Sequence, residues 1–189
     1  MIAKVKANQP ELRTEKLERY QREFDLPKYD AEIITGHKKF ADLFEAATEL
    51  CGKPKKVSNW IMVETMRLLK ENNMDPEDIR FSPVNLAKLI NLADSGSITN
   101  TVAKEVFERI FKDDIDPEKY VEEKGLKTVN DEGALRETVQ KVLADNPQSV
   151  EDYHNGKEKA IGFLVGQTMK AMKGKANPAL VNQILKELL

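Results

Sequence analysis

Val102-Ala103-Lys104-Glu105-Val106-Phe107-Glu108-Arg109-Ile110-Phe111 is the stretch on which the fold turns. Its apolar residues Val102, Val106, Phe107, Ile110 and Phe111 recur at intervals of three and four, with charge between them. At 3.6 residues per turn that spacing gathers them on one stripe of a helix. The same period continues outward on both sides. Upstream, Leu12, Leu17, Tyr20 and Phe24 mark a highly charged helix, and Phe40, Leu43, Phe44, Ala47 and Leu50 a second. Val57, Ile61, Met62, Met66 and Leu69 line a third; Leu86, Leu89, Ile90 and Ala93 line the next, stopped at Ser95-Gly96. Downstream, three further faces are Leu135, Val139, Val142, Leu143; Ile161, Leu164, Val165, Met169, Met172; and Leu180, Val181, Ile184, Leu185, Leu188. No stretch sustains the two-residue alternation of a strand. The expected fold is all-α.

Helix starts are legible too. Asp75-Pro76, Ser82-Pro83, Asp116-Pro117, Asn146-Pro147 and Asn177-Pro178 each place a capping side chain before a proline. The side-chain oxygen accepts from an orphan N–H, and proline loses nothing at the first helical position. From Asp113 to Asp131 the chain turns acidic and lysine-rich and contains Gly125. A flexible junction is expected there, dividing a helical bundle over 1–125 from a three- to four-helix tail over 126–189. Charged residues make up 33% of the 189 and aromatics 6%, a balance that favours helix over sheet. The net charge of −2 means that any nucleic-acid contact needs a local patch. A single cysteine, Cys51, fits a reducing compartment. Met1-Ile2-Ala3-Lys4-Val5-Lys6 is too short and polar for a signal peptide, and no apolar run approaches the roughly 20 residues of a membrane span. The expectation is a soluble, cytoplasmic chain.

Catalytic chemistry is thinly represented. The two histidines, His37 and His154, lie far apart, and no Cys-x-x-Cys, His-x-x-x-His, P-loop or Gly-x-Ser-x-Gly pattern occurs. Asp75-Pro76-Glu77-Asp78 reads as a helix cap with first-turn carboxylates rather than a metal site. No catalytic residue and no metal ligand is assigned.

One segment stands apart. Between Gly156 and Lys175, five lysines (Lys157, Lys159, Lys170, Lys173, Lys175) face one acid, Glu158. Charge alone leaves two readings: a solvated face whose last lysines serve the helix dipole, or a grip on a phosphate backbone. Gly162 and Gly166, four apart, suggest close helix packing or close approach of an RNA backbone.

The wording of this segment resembles a known family. Lys157-Glu158-Lys159-Ala160-Ile161-Gly162-Phe163-Leu164-Val165-Gly166-Gln167, then Met169-Lys170 and Lys173-Gly174-Lys175-Ala176-Asn177-Pro178, looks like the tail signature of GatB subunits, shared with the small YqeY proteins. Leu26-Pro27-x-Tyr29-Asp30-Ala31, Lys55-Lys56-Val57-Ser58-Asn59-Trp60 and Gly96-Ser97-Ile98-Thr99 before Ala103-Lys104-Glu105-Val106-Phe107 resemble the GatB helical domain. The matches run in the family's order over nearly the whole chain.

The resemblance implies a place in the GatCAB amidotransferase, which converts Glu-tRNA(Gln) or Asp-tRNA(Asn) to the amidated form. In that family the A subunit releases ammonia from glutamine. The B subunit's cradle domain uses ATP and magnesium, and its helical and tail domains hold the tRNA. This chain begins, by the resemblance, where the cradle would end, as a fragment or a short paralogue. The cradle's Tyr-Phe-Pro-Glu-Pro-Asp-type segment is missing, so this chain is expected to carry no cofactor and no activity alone. Its expected partners are tRNA and, through the missing cradle, the A and C subunits. Lys157, Lys159, Lys170, Lys173 and Lys175 are the expected tRNA contacts, with Gly174 letting the loop approach the phosphates. The rival reading is a protein-docking module with incidental RNA binding.

Overall fold

In the computed structural model, which describes residues 11–189, each of the five proline pairs opens a helical turn. The hexapeptide Met1–Lys6 lies outside the described residues. The elements are α1 (Arg13–Phe24), α2 (Lys28–Gly36), α3 (Lys38–Cys51), α4 (Pro54–Asn59), a π turn (Trp60–Thr65) and α5 (Met66–Glu71). A 3₁₀ turn (Pro76–Asp78) precedes α6 (Pro83–Asp94), α7 (Asn100–Asp113) and α8 (Pro117–Glu123). Then come α9 (Glu132–Asp145), α10 (Pro147–His154), α11 (Lys159–Ala171) and α12 (Pro178–Leu188). The described residues form no strand beyond one parallel bridge, Val129 with Ala176. The fold is all-α. Among the described residues no helix is long and apolar enough to cross a membrane.

The chain divides into two compact units. One runs through Asn91 and adds Phe107–Pro117; the other comprises Leu92–Val106 and Glu118–Leu189.

In the first unit, α1 is held to α3 by a buried aromatic group. Tyr20 is fully buried, with its ring centroid 4.7 Å from that of Phe44, and Phe24 packs edge-on to Phe44. A polar clamp sits above them. Tyr20 Oη donates to Glu45 Oε1 at 2.9 Å, Arg19 also bonds Glu45 and Glu11, and Lys16 lies 3.3 Å from Glu45. Burial pushes the Glu45 carboxyl up, but hydrogen bonds from Arg19, Tyr20 and Lys16 outweigh it and leave the group below its ordinary value. Burial, then the bond to Glu45, raises the Tyr20 phenol.

The third expected helix departs from its period. Val57 and Ile61 are fully buried as the spacing predicts, but Met66 is 36% exposed and Leu68 is buried. The π turn over Trp60–Thr65 accommodates an extra residue and rotates the next helix, α5, out of the α-helical phase. Trp60 packs on Phe107 with centroids 5.1 Å apart. The acidic Asp75–Asp78 group is a cap, with the Asp75 N–H donating to Asp78 Oδ2 at 2.8 Å.

The second unit has a core of Leu135, Val139 and Val142 on α9, Leu164 on α11, Ala176, and Val181, Ile184 and Leu185 on α12. Asn177 caps α12, its side-chain oxygen accepting from the Ala179 and Leu180 N–H groups. The expected open junction is more ordered than its composition implies. Pro117–Glu123 is helical, Val121 is 1% exposed, and the Thr128 N–H donates to the Ser97 carbonyl at 2.9 Å. Its charged residues cover one buried valine, a feature too sparse to register as a periodic face.

Candidate nucleic-acid interface

The site is one face of α11. Helical phase sends Ile161, Leu164, Val165, Thr168 and Met172 inward, where Leu164 and Thr168 are completely buried. Thr168 satisfies its hydroxyl by donating to the Leu164 carbonyl at 2.9 Å. Lys159, Gly162, Phe163, Gly166 and Lys170 follow the i, i+3, i+4, i+7, i+11 pattern on the opposite side, and all five are exposed. No acid occurs among them. Lys159 and Lys170 sit about 16 Å apart along the axis, from a rise of 1.5 Å per residue.

The two glycines correct one expectation. Close packing against another helix would leave no room for a side chain. Yet a Cβ added to Gly162 or Gly166 would meet nothing within 4 Å. They leave the middle of this face shallow and open, because the inward stripe lies on the other side of the helix.

The five lysines are not equivalent. Lys157 is paired with Asp152 at 2.8 Å, and that bond holds the Asp152 carboxyl below its ordinary value. Lys175 is half-buried and donates to the Gly125 carbonyl at 3.3 Å. Lys159, Lys170 and Lys173 are exposed and have no ion-pair partner among the described residues. Lys159 lies in the first turn of α11, where the helix dipole disfavours a cation, so dipole compensation does not account for it.

The structure places Gly174 away from the open face. It is buried, with φ +73°, and its carbonyl accepts from Thr99 Oγ1 at 2.6 Å. Lys173, with φ +52°, shares the left-handed backbone, and the Gly174 N–H closes back onto the Met169 carbonyl at 2.8 Å. This two-residue reversal ends α11 and leaves Lys173 exposed beside Lys170. The loop is further fixed by the Val129 N–H donating to the Lys175 carbonyl at 2.7 Å. Sequence reading missed Phe163, which is 48% exposed. Its one signal was that it falls off the Ile161–Leu164–Val165 stripe.

Among the described residues no group of three or more His, Cys, Asp or Glu side chains is placed to hold a metal ion. Fold and site together define an all-helical module with a shallow, cation-flanked helix face. The chain belongs to the GatB domain family, whose model matches residues 42–189. It is 70% identical over 188 residues to the B subunit of the aspartyl/glutamyl-tRNA(Asn/Gln) amidotransferase of Agathobacter rectalis, an alignment covering all of this chain and 40% of that protein. The B subunit of the same name from Lachnoclostridium phytofermentans is 58% identical over 188 residues, covering all of this chain and 39% of the relative. That from a Thermoanaerobacter species is 52% identical over 185 residues, covering 98% of this chain and 39% of the relative. The chain thus spans about 40% of the length of these curated relatives.

Proposed function

We propose that this chain is the tRNA-holding, C-terminal part of an amidotransferase B subunit, positioning a misacylated tRNA for amidation elsewhere in the assembly. The observation that carries the reading is the acid-free face of α11, with Lys159, Lys170 and neighbouring Lys173 exposed and without ion-pair partners among the described residues. Cations at both ends of one helix face and in the loop after it suit phosphate oxygens, which fix position without reading sequence. The relatives' names specify a tRNA-linked amidotransferase, consistent with such a ligand. In this reading ATP, magnesium and the A and C subunits engage the part of the relatives that this chain does not span. The working compartment is the cytoplasm.

The test is tRNA affinity measured against salt concentration. Changing Lys159, Lys170 and Lys173 to Glu should weaken binding and lower the slope of log affinity against log salt by about one for each lysine that touches a phosphate. The control changes Lys38, Lys39 and Lys112 to Glu and should leave the slope within about one of the parent. An α11 variant that keeps both affinity and slope, with its helical signal intact, would refute the reading and favour protein docking.

A further inference from the structure

We infer that Phe163 is a stacking platform for an unpaired base of the bound RNA, so that the α11 face takes folded RNA where a base stands out of its stack. The inference rests on the tRNA reading above and adds a contact that phosphate binding does not need. Phe163 is 48% exposed on a helix whose opposite side already has a complete core. About half of the residue stays in contact with water, which leaves apolar ring surface available to a ligand. The residues around it are suited to admitting a flat ligand. Gly162 precedes it, Gly166 lies one turn on, and a Cβ at either position would meet no atom within 4 Å beyond its chain neighbours and the helix's own backbone. The positions next to it and one turn on therefore carry no side chain that would stand beside the ring.

Charge selects the occupant. Lys159 and Lys170 share this face with Phe163, about 6 Å and 10 Å from it along the helix axis. An apolar protein partner would have to desolvate both ammonium groups, whereas a nucleotide offers a ring for the phenyl and phosphates for the lysines. Paired RNA presents few free base faces, and recognition of RNA through aromatic rings targets loops and bulges whose bases can be splayed out. The occupant is accordingly a loop of a structured RNA.

Binding of deacylated tRNA and of a blunt, fully paired RNA duplex should be compared for the full chain, Phe163→Ala, Phe163→Leu and Phe163→Tyr. Phe163→Ala should weaken tRNA binding by roughly 10-fold, the scale of losing one stacked base. Phe163→Leu should behave like Ala, and Phe163→Tyr should restore most of the affinity. None of them removes charge, so the salt slope should match the parent. The duplex, with few free base faces, should be indifferent to all three changes. Equal tRNA affinity in the parent and Phe163→Ala, or rescue by Leu as full as by Tyr, would overturn the stacking proposal. If Lys170 and Lys173 variants lose binding while Phe163→Ala does not, phosphate holding stands and stacking falls. If the parent itself shows no salt-dependent tRNA binding, both fall.

Discussion

Replacing Gly174 with alanine should destabilise the second unit by an amount that can be separated into two causes. The first is backbone. At φ +73° a non-glycine residue costs about 1 kcal/mol for left-handed geometry. The second is space. A Cβ at 174 would lie 2.9 Å from Thr101 Cγ2 and 3.3 Å from Thr101 Cβ. Rotating the β-branched side chain moves only the first of these atoms, so the overlap adds about 1–2 kcal/mol. Gly156 supplies an internal reference, since its φ is +86° but nothing lies within 4 Å of its Cβ position. Gly156→Ala should therefore show the backbone cost alone. Adding Thr101→Ala to Gly174→Ala removes Cγ2 and should return about 1 kcal/mol, a coupling that distant sites do not show. The assay is urea unfolding followed by far-ultraviolet circular dichroism, comparing midpoints at constant slope. Equal losses for Gly174→Ala and Gly156→Ala, or no coupling to Thr101, would refute the account of Gly174 as a packed loop anchor.

Three further outcomes are expected. Glu45, held below its ordinary value in the fold, should contribute stability above the unfolded carboxylate pKa of about 4.3 and lose it as pH falls through the lower folded value. The deficit of Glu45→Gln against the parent should thus be largest near neutrality and shrink in acid; a deficit constant with pH would contradict the clamp. We propose that 126–189 folds alone, because its core from Leu135 to Leu185 is drawn entirely from that stretch. The fragment should give a helical spectrum with a cooperative but early urea transition, and a non-cooperative melt would count against that boundary. Finally, the chain alone should form no amidated tRNA when supplied with ATP, magnesium, glutamine and misacylated tRNA, and product above background without the other subunits would overturn the positioning role.

The sequence made the helices plain where one period ran unbroken and a proline marked the start. α7 and α12 came out as read, with Val106, Phe107, Val181 and Ile184 fully buried. It was less plain where geometry breaks the period. The helix carrying Val57, Ile61 and Met66 reads as one stripe, but the π turn shifts phase midway and brings Leu68 inward instead of Met66. α2 escaped notice because a short helix buries only Ala31, Ile34 and Thr35, too few positions to establish a period. At the site, composition found the lysines but could not rank them. Pairing of Lys157 with Asp152 across five residues, and of Lys175 with a carbonyl fifty residues away, depends on loops whose course the sequence does not spell out. Phe163 looked like one more apolar residue in an apolar run, and only the helix phase puts it outside.

The ion pair between Arg136 near the start of α9 and Glu187 at the end of α12, with Nη2–Oε2 at 2.6 Å, means that the two ends of the α9–α12 stretch lie side by side. A helical unit whose ends adjoin can be joined there and cut elsewhere without moving its helices in space. Joining residue 189 to residue 132 with a short glycine linker, and opening the chain at the exposed Asn155-Gly156 turn, would yield a circular permutant with the same core. The same property lets such a unit be appended to another protein, or inserted within one, through neighbouring attachment points.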